Sequence, residues 1–157
     1  MLSDVVLGWD EYYMDIARAV SRRSSCSRRQ VGAIMVVDRG IVSTGYNGTP
    51  FGFRNCNEGG CPRCASDVPS HNGYDTCLCV HAEENSIALA ARRGVQIAQA
   101  TLYTTLRPCI HCLRFLVQAG IVAIRYEEKV RFDQEIEDLY SDILRYSSIE
   151  MVQLESR

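Results

Sequence analysis

His81-Ala82-Glu83 and Pro108-Cys109-Ile110-His111-Cys112 are the two stretches whose residue types and spacing suit chemistry. Zinc takes nitrogen and thiolate ligands in a tetrahedron, and a catalytic zinc keeps one position for water. His81, Cys109 and Cys112 supply three such ligands. Cys109 and Cys112 are one helical turn apart and can meet one ion. Glu83 stands two residues past His81. A helix turns it away from the ion but leaves its carboxylate near a bound water, where it serves as a base. The chemistry implied is hydrolysis. The competing arrangement is a structural knot with His111 as fourth ligand. His111, however, lies between the two cysteines and points to another face of their helix, so it reads as a surface or supporting residue.

The elements that must position these groups follow from periodicity and turn chemistry. Trp9, Tyr12, Tyr13, Ile16, Ala17 and Val20 follow the 3–4 spacing of a buried stripe, which predicts a helix over 9–23. Residues 31–37 and 41–46 read as strands joined at Asp38-Arg39-Gly40, a hairpin. A helix over 81–93 stops at Gly94, and Pro108 opens another that runs to Gln118. Strands over 101–105, 121–126 and 149–154 and a helix over 132–146 complete the order. Both ligand segments therefore open helices, where free N–H groups and the positive dipole end favour thiolates. This alternation predicts an α/β fold with a mixed sheet and helices on both faces. The chain reads as one domain over 1–157.

Residues 47–80 are rich in Gly, Pro, Asn and Cys and have no period. A structureless loop of that length inside a compact domain needs another source of order. The chain has eight cysteines. Met1-Leu2-Ser3-Asp4 shows neither a basic region nor an apolar run, and no stretch reaches membrane-span length. The expectation is a soluble cytoplasmic protein, where cysteines serve as metal ligands more often than as disulfides. Cys61-Pro62-Arg63-Cys64 is a zinc knuckle, and His71 and Cys77 follow at workable spacing. The chain carries 17 Lys+Arg against 19 Asp+Glu, a net charge of −2. That lacks the broad basic field of a nucleic-acid binder and leaves room for a small anionic ligand.

A His-x-Glu followed by a Pro-Cys-x-x-Cys is the pattern that zinc deaminases carry. With it the sequence resembles the cytidine/deoxycytidylate deaminase family, from about Ser21 to Tyr126. The marks are Ser24-Ser25-Cys26-Ser27-Arg28-Arg29-Gln30-Val31-Gly32-Ala33, Gly45-Tyr46-Asn47-Gly48, His81-Ala82-Glu83-Glu84-Asn85 and Arg107-Pro108-Cys109. The second of these, and Asn85, point to the deoxycytidylate branch. The resemblance implies a three-layer α/β/α sandwich and hydrolysis of dCMP to dUMP and ammonia, which feeds dTMP synthesis. It implies that Glu83 shuttles protons, that Asn47 binds the sugar, that Ser24 and Arg28 hold the 5′-phosphate, and that the Ala82 N–H holds the base carbonyl. It places Cys26, Cys56 and Cys79 where such enzymes hold a structural zinc. One catalytic and one or two structural zinc ions follow. The structural candidates (Cys26, Cys56, Cys61, Cys64, His71, Cys77 and Cys79) are one short of two full tetrahedra, which leaves their grouping open and allows that some are buried free thiols. Homo-oligomers and control by dCTP or dTTP are also implied. The rivals are a deaminase of another nucleoside, nucleotide or free base, a deaminase of nucleic-acid bases, which the charge disfavours, and a zinc module without catalysis.

Overall fold

The computed structural model describes residues 6–69 and 76–156. Five strands form one sheet in the order β2-β1-β3-β4-β5: β1 Gly32–Val37, β2 Gly40–Tyr46, β3 Thr101–Leu106, β4 Ala123–Glu128 and β5 Glu150–Gln153. β1 is antiparallel to β2 and to β3, while β3, β4 and β5 run parallel. The β1–β2 turn places Asp38 and Arg39 at φ 46° and 64°. Two successive positive φ values are what a two-residue hairpin loop with the strands' twist requires.

The helices are α1 Trp9–Ser21, the short α2 Pro62–Ala65, α3 Ala82–Arg93, α4 Ile110–Gln118 and α5 Gln134–Ser147. α4 and α5 each cross between parallel neighbours in the same direction along the sheet, so right-handed crossovers place both on one face. α1 covers the opposite face. Tyr13, Met14 and Ala17 of α1 pack on Ile34, Val36 and Tyr103. On the other face Ala33, Met35, Leu102 and Ile124 meet Ala82, Leu113, Leu116 and Tyr140. β1 is thus covered on both sides, which explains its unbroken apolar run. Leu113 and Leu116 are wholly buried and seat α4 on the sheet. Each contributes roughly 1.5–3 kcal/mol by that burial.

The mixed sheet between helical layers is the architecture expected. Details differ. Trp9 and Tyr12 are exposed and Met14 is buried, so the inner stripe of α1 lies one position round from the predicted one. Tyr13 and Met14 are adjacent and share the inner stripe, and Tyr12 lies a further 100° round the helix, at its exposed edge. Pro108 does not open α4. Cys109 caps it and Ile110 is its first residue. Among the described residues no helix is long and apolar enough to cross a membrane.

Candidate active site

The two ligand segments are brought together by neighbouring helix starts. His81 is the N-cap of α3 and Cys109 the N-cap of α4, both with extended backbone. Glu84 fixes the first of these, its carboxylate accepting from the His81 N–H at 3.0 Å. Cys112 lies one turn into α4 and is buried.

His81 Nδ1 lies 3.3 Å from Cys112 Sγ and 3.5 Å from Cys109 Sγ. The two sulfurs are 3.6 Å apart. Tetrahedral zinc, with Zn–S of about 2.3 Å and Zn–N of about 2.0–2.1 Å, holds two sulfurs about 3.8 Å apart and sulfur and nitrogen about 3.6 Å apart. The donor set and its spacing therefore fit a zinc ion with one position left over. His111 is exposed on the outer face of α4, where its Nδ1 meets Arg114 Nη2 at 2.7 Å. It takes no part in the tripod.

Glu83 is 4% exposed, and its Oε2 lies 3.7 Å from Cys112 Sγ. Burial pushes its carboxyl up to about 7, against the pull of the His81 charge. A carboxyl poised near neutrality can both take and give a proton. Hydrogen bonding with Cys112, and then with His81, pulls the Cys109 thiol down to about 4. Cys112 is pushed up, chiefly by its hydrogen bond with Cys109 and then by burial. Hydrogen bonding with Cys109 lifts His81 to about 9.

The segment Gly45-Tyr46-Asn47-Gly48 seats α3. A Cβ on Gly45 would lie 2.1 Å from the Ala82 carbonyl oxygen and 2.5 Å from the Ser86 nitrogen, so only glycine lets the first turn of α3 approach β2. The Tyr46 carbonyl accepts from Asn85 Nδ2 at 2.8 Å. Gly48 and Val80 exchange both backbone hydrogen bonds, at 3.2 and 2.8 Å, immediately before His81. Asn47 Oδ1 accepts from the Val31 N–H at 2.8 Å, and its Nδ2 donates to the Arg29 carbonyl at 2.7 Å.

Ser24 Oγ lies 2.6 Å from the Asn47 carbonyl and 2.7 Å from its Oδ1, so Ser24 and Asn47 stand together and buried. Arg28 reaches the cysteine-rich segment, where its Nη2 donates to the Arg63 and Ser66 carbonyls at 3.0 and 2.7 Å. The Cys26, Cys56, Cys64 and Cys79 sulfurs form one group within 4.8 Å of one another, and those of Cys61, Cys64, Cys77 and Cys79 form another. His71 lies outside the described residues.

Arg107 belongs to the Arg107-Pro108-Cys109 motif, but its supporting role escapes motif reading. Arg107 is buried, stacks 4.1 Å over the Tyr140 ring, and makes parallel hydrogen bonds to Glu137 at 2.8 and 2.9 Å. Tyr140 donates to the Pro108 carbonyl at 3.1 Å. The loop carrying Cys109 is thus tied to α5. Arg107 stands beside the ligand motif in sequence, but its partners lie about thirty residues on, and no local spacing announces them.

Residues 7–128 match the model of the cytidine and deoxycytidylate deaminase zinc-binding region. A deoxycytidylate deaminase of Schizosaccharomyces pombe is 43% identical over 131 residues, which cover 83% of this chain and 40% of that one. The chain thus spans about two-fifths of that relative's length. A deoxycytidylate deaminase of Mycobacterium phage D29 is 40% identical over 77% of this chain and 95% of its own. The crystal structure of the dCMP deaminase of cyanophage S-TIM5, in complex with dCMP and dUMP, superposes with a TM-score of 0.71 at 30% identity, covering 92% of this chain and 95% of that one.

Proposed function

The chain belongs to the cytidine and deoxycytidylate deaminase family, and from that premise we propose that it hydrolyses dCMP to dUMP and ammonia. The observation that carries the reading is the buried Glu83 carboxylate, 3.7 Å from one corner of a tripod spaced for zinc. The choice of dCMP rests on the relatives named for it and on the neighbour that holds dCMP and dUMP.

His81, Cys109 and Cys112 would hold the ion. When bound, zinc supplies Lewis acidity that makes an attacking water a stronger acid and nucleophile near neutral pH. The chain's residues do the rest. Glu83 takes a proton from the water as its oxygen bonds to C4 of the cytosine, and passes that proton to N3. It then takes the remaining hydroxyl proton and gives it to the amino group, which leaves as ammonia while the C4 carbonyl forms. One carboxylate serves as base and acid in turn, which suits a group lifted to about 7 by burial. The Ala82 N–H, free at the first turn of α3, holds the base carbonyl. Asn47 and Ser24 line the sugar and phosphate side, and Arg28 holds the phosphate through the guanidinium nitrogens not spent on the loop carbonyls.

The same reading takes residues 1–157 as one deaminase domain, a homo-oligomer of the cytoplasm under dCTP and dTTP control. Ammonia release from dCMP, CMP, deoxycytidine, guanine and a tRNA hairpin tests the substrate. We expect dCMP to be turned over fastest, and no release from dCMP sinks the reading. Sizing, and rates with dCTP or dTTP added, test assembly and control.

A further inference from the structure

We propose that Cys26, Cys56, Cys61, Cys64, Cys77 and Cys79 hold two zinc ions as one binuclear cluster, in which Cys64 and Cys79 bridge the two ions. The two groups of cysteines share Cys64 and Cys79 and nothing else. Two separate tetrahedra need eight ligands, and six sulfurs cannot fill them singly. A thiolate bound to one zinc keeps lone pairs for a second. With Cys64 and Cys79 counted in both shells, six sulfurs complete two tetrahedra that share an edge. Cys26 and Cys56 are then terminal on one ion, Cys61 and Cys77 on the other.

The spacing supports this. Cys61 Sγ and Cys77 Sγ are 3.9 Å apart, close to the sulfur separation of about 3.8 Å across a zinc tetrahedron. The six side chains pack together, with Cys56, Cys61 and Cys79 buried. The Leu78 N–H points at Cys61 Sγ at 3.4 Å, and Ser27 Oγ lies 3.8 Å from Cys56 Sγ, contacts that suit sulfurs carrying negative charge.

The surrounding chain needs such a core. Between β2 and α3 the described elements are one 3-10 turn at Cys56–Glu58 and the four-residue α2, both carrying cluster cysteines. Binding energy at structural zinc is folding energy. The cluster joins Cys26, on the segment entering β1, to Cys79, two residues before His81. It therefore holds one end of the bridge that positions the catalytic helix. Both shells are complete without His71, which distinguishes this arrangement from two separate sites with His71 as a ligand.

Metal content and cadmium NMR test the proposal on the whole chain. Protein grown with zinc, without a tag, is expected to hold three zinc ions per chain, one of them at His81, Cys109 and Cys112. Protein grown with ¹¹³Cd is expected to hold three cadmium ions and to show three ¹¹³Cd resonances, two of them split by coupling to each other through the shared sulfurs. Any other metal count, or three unsplit resonances, overturns the cluster. His71→Ala is expected to keep all three ions and the splitting. Loss of an ion in that variant also overturns it.

Discussion

Glu83 and Cys112 face each other across the edge of the ligand tripod, carboxylate oxygen to sulfur at 3.7 Å. The carboxylate stands beside the tripod and outside the group of three ligand atoms. Removing its proton chemistry while keeping its shape tests the shuttle. Glu83→Gln is expected to retain the catalytic zinc and to bind dCMP, with kcat lower by about 10²–10⁴. Turnover near that of the unmodified chain would refute the shuttle. Loss of zinc together with activity would mean that Glu83 holds the tripod together.

Arg28 faces two ways. One nitrogen is spent on the Arg63 and Ser66 carbonyls, and the proposed role spends the others on phosphate. Arg28→Ala is expected to raise KM for dCMP about 10- to 100-fold, as loss of about 1.5–3 kcal/mol of charge-assisted contact requires. KM for deoxycytidine, which has no phosphate, is expected to change little. Equal changes for both substrates would leave Arg28 as a pin for the cysteine-rich loop and nothing more.

The chemistry was legible because its residues are local. His81 and Glu83 share one helix start, Cys109 and Cys112 share another, and each start announces itself by composition. The sheet was legible for a like reason: Asp38-Arg39-Gly40 marks the hairpin, and Gly94 and Gly120 mark the ends of α3 and α4. What stayed hidden depends on partners far apart in sequence. Arg107 meets Glu137 and Tyr140 only once α5 has packed back over the loop before α4. Arg28 meets Arg63 and Ser66 across the cysteine-rich segment. The cysteine count left the grouping open because counting assumes one metal per sulfur, and the overlap at Cys64 and Cys79 exists only in space.

The Arg107–Glu137 pair gives a pH signature. Hydrogen bonding to Arg107, aided by the Phe132 N–H and by the Arg107 and Lys129 charges, holds the Glu137 carboxyl at about 2 against an ordinary 4.5. A depressed carboxyl contributes stability that is complete above its unfolded pKa and is lost as pH falls through its folded one. The window is therefore about 4.5 down to about 2. Glu137 is 27% exposed in its side chain, so solvent screening trims the contribution to about 1–2 kcal/mol. Glu137→Gln is expected to lower the denaturation midpoint at pH 7 and to match the unmodified chain as pH approaches 2. Both proteins lose metal in acid, so the difference between them is the quantity to follow. A gap that is constant with pH means that packing, not charge, sets the effect.

Gly45 offers a test of how the fold positions the catalytic helix. It pairs with Ala33 across the hairpin and presents its open face to α3. The atoms that a Cβ would strike are the Ala82 carbonyl oxygen at 2.1 Å and the Ser86 nitrogen at 2.5 Å. Both are backbone, so no side chain can swing aside. The first turn of α3 must move instead, and it carries Glu83 and follows directly on His81. Gly45→Ala is expected to cost about 1–3 kcal/mol in stability, as overpacking does. Its larger effect is expected on kcat. A displacement of Glu83 of about 1 Å lowers turnover by about 10²-fold. Ser86 Oγ donates to the Glu83 carbonyl, and the Ser86 carbonyl accepts from Ser43 Oγ, both at 2.7 Å. These bonds tie the turn to β2 at a second point, so α3 should tilt rather than detach. The variant is therefore expected to keep its zinc while losing turnover, measured as metal content beside kcat on dCMP. Unchanged kcat with unchanged stability would show that α3 is not seated through Gly45.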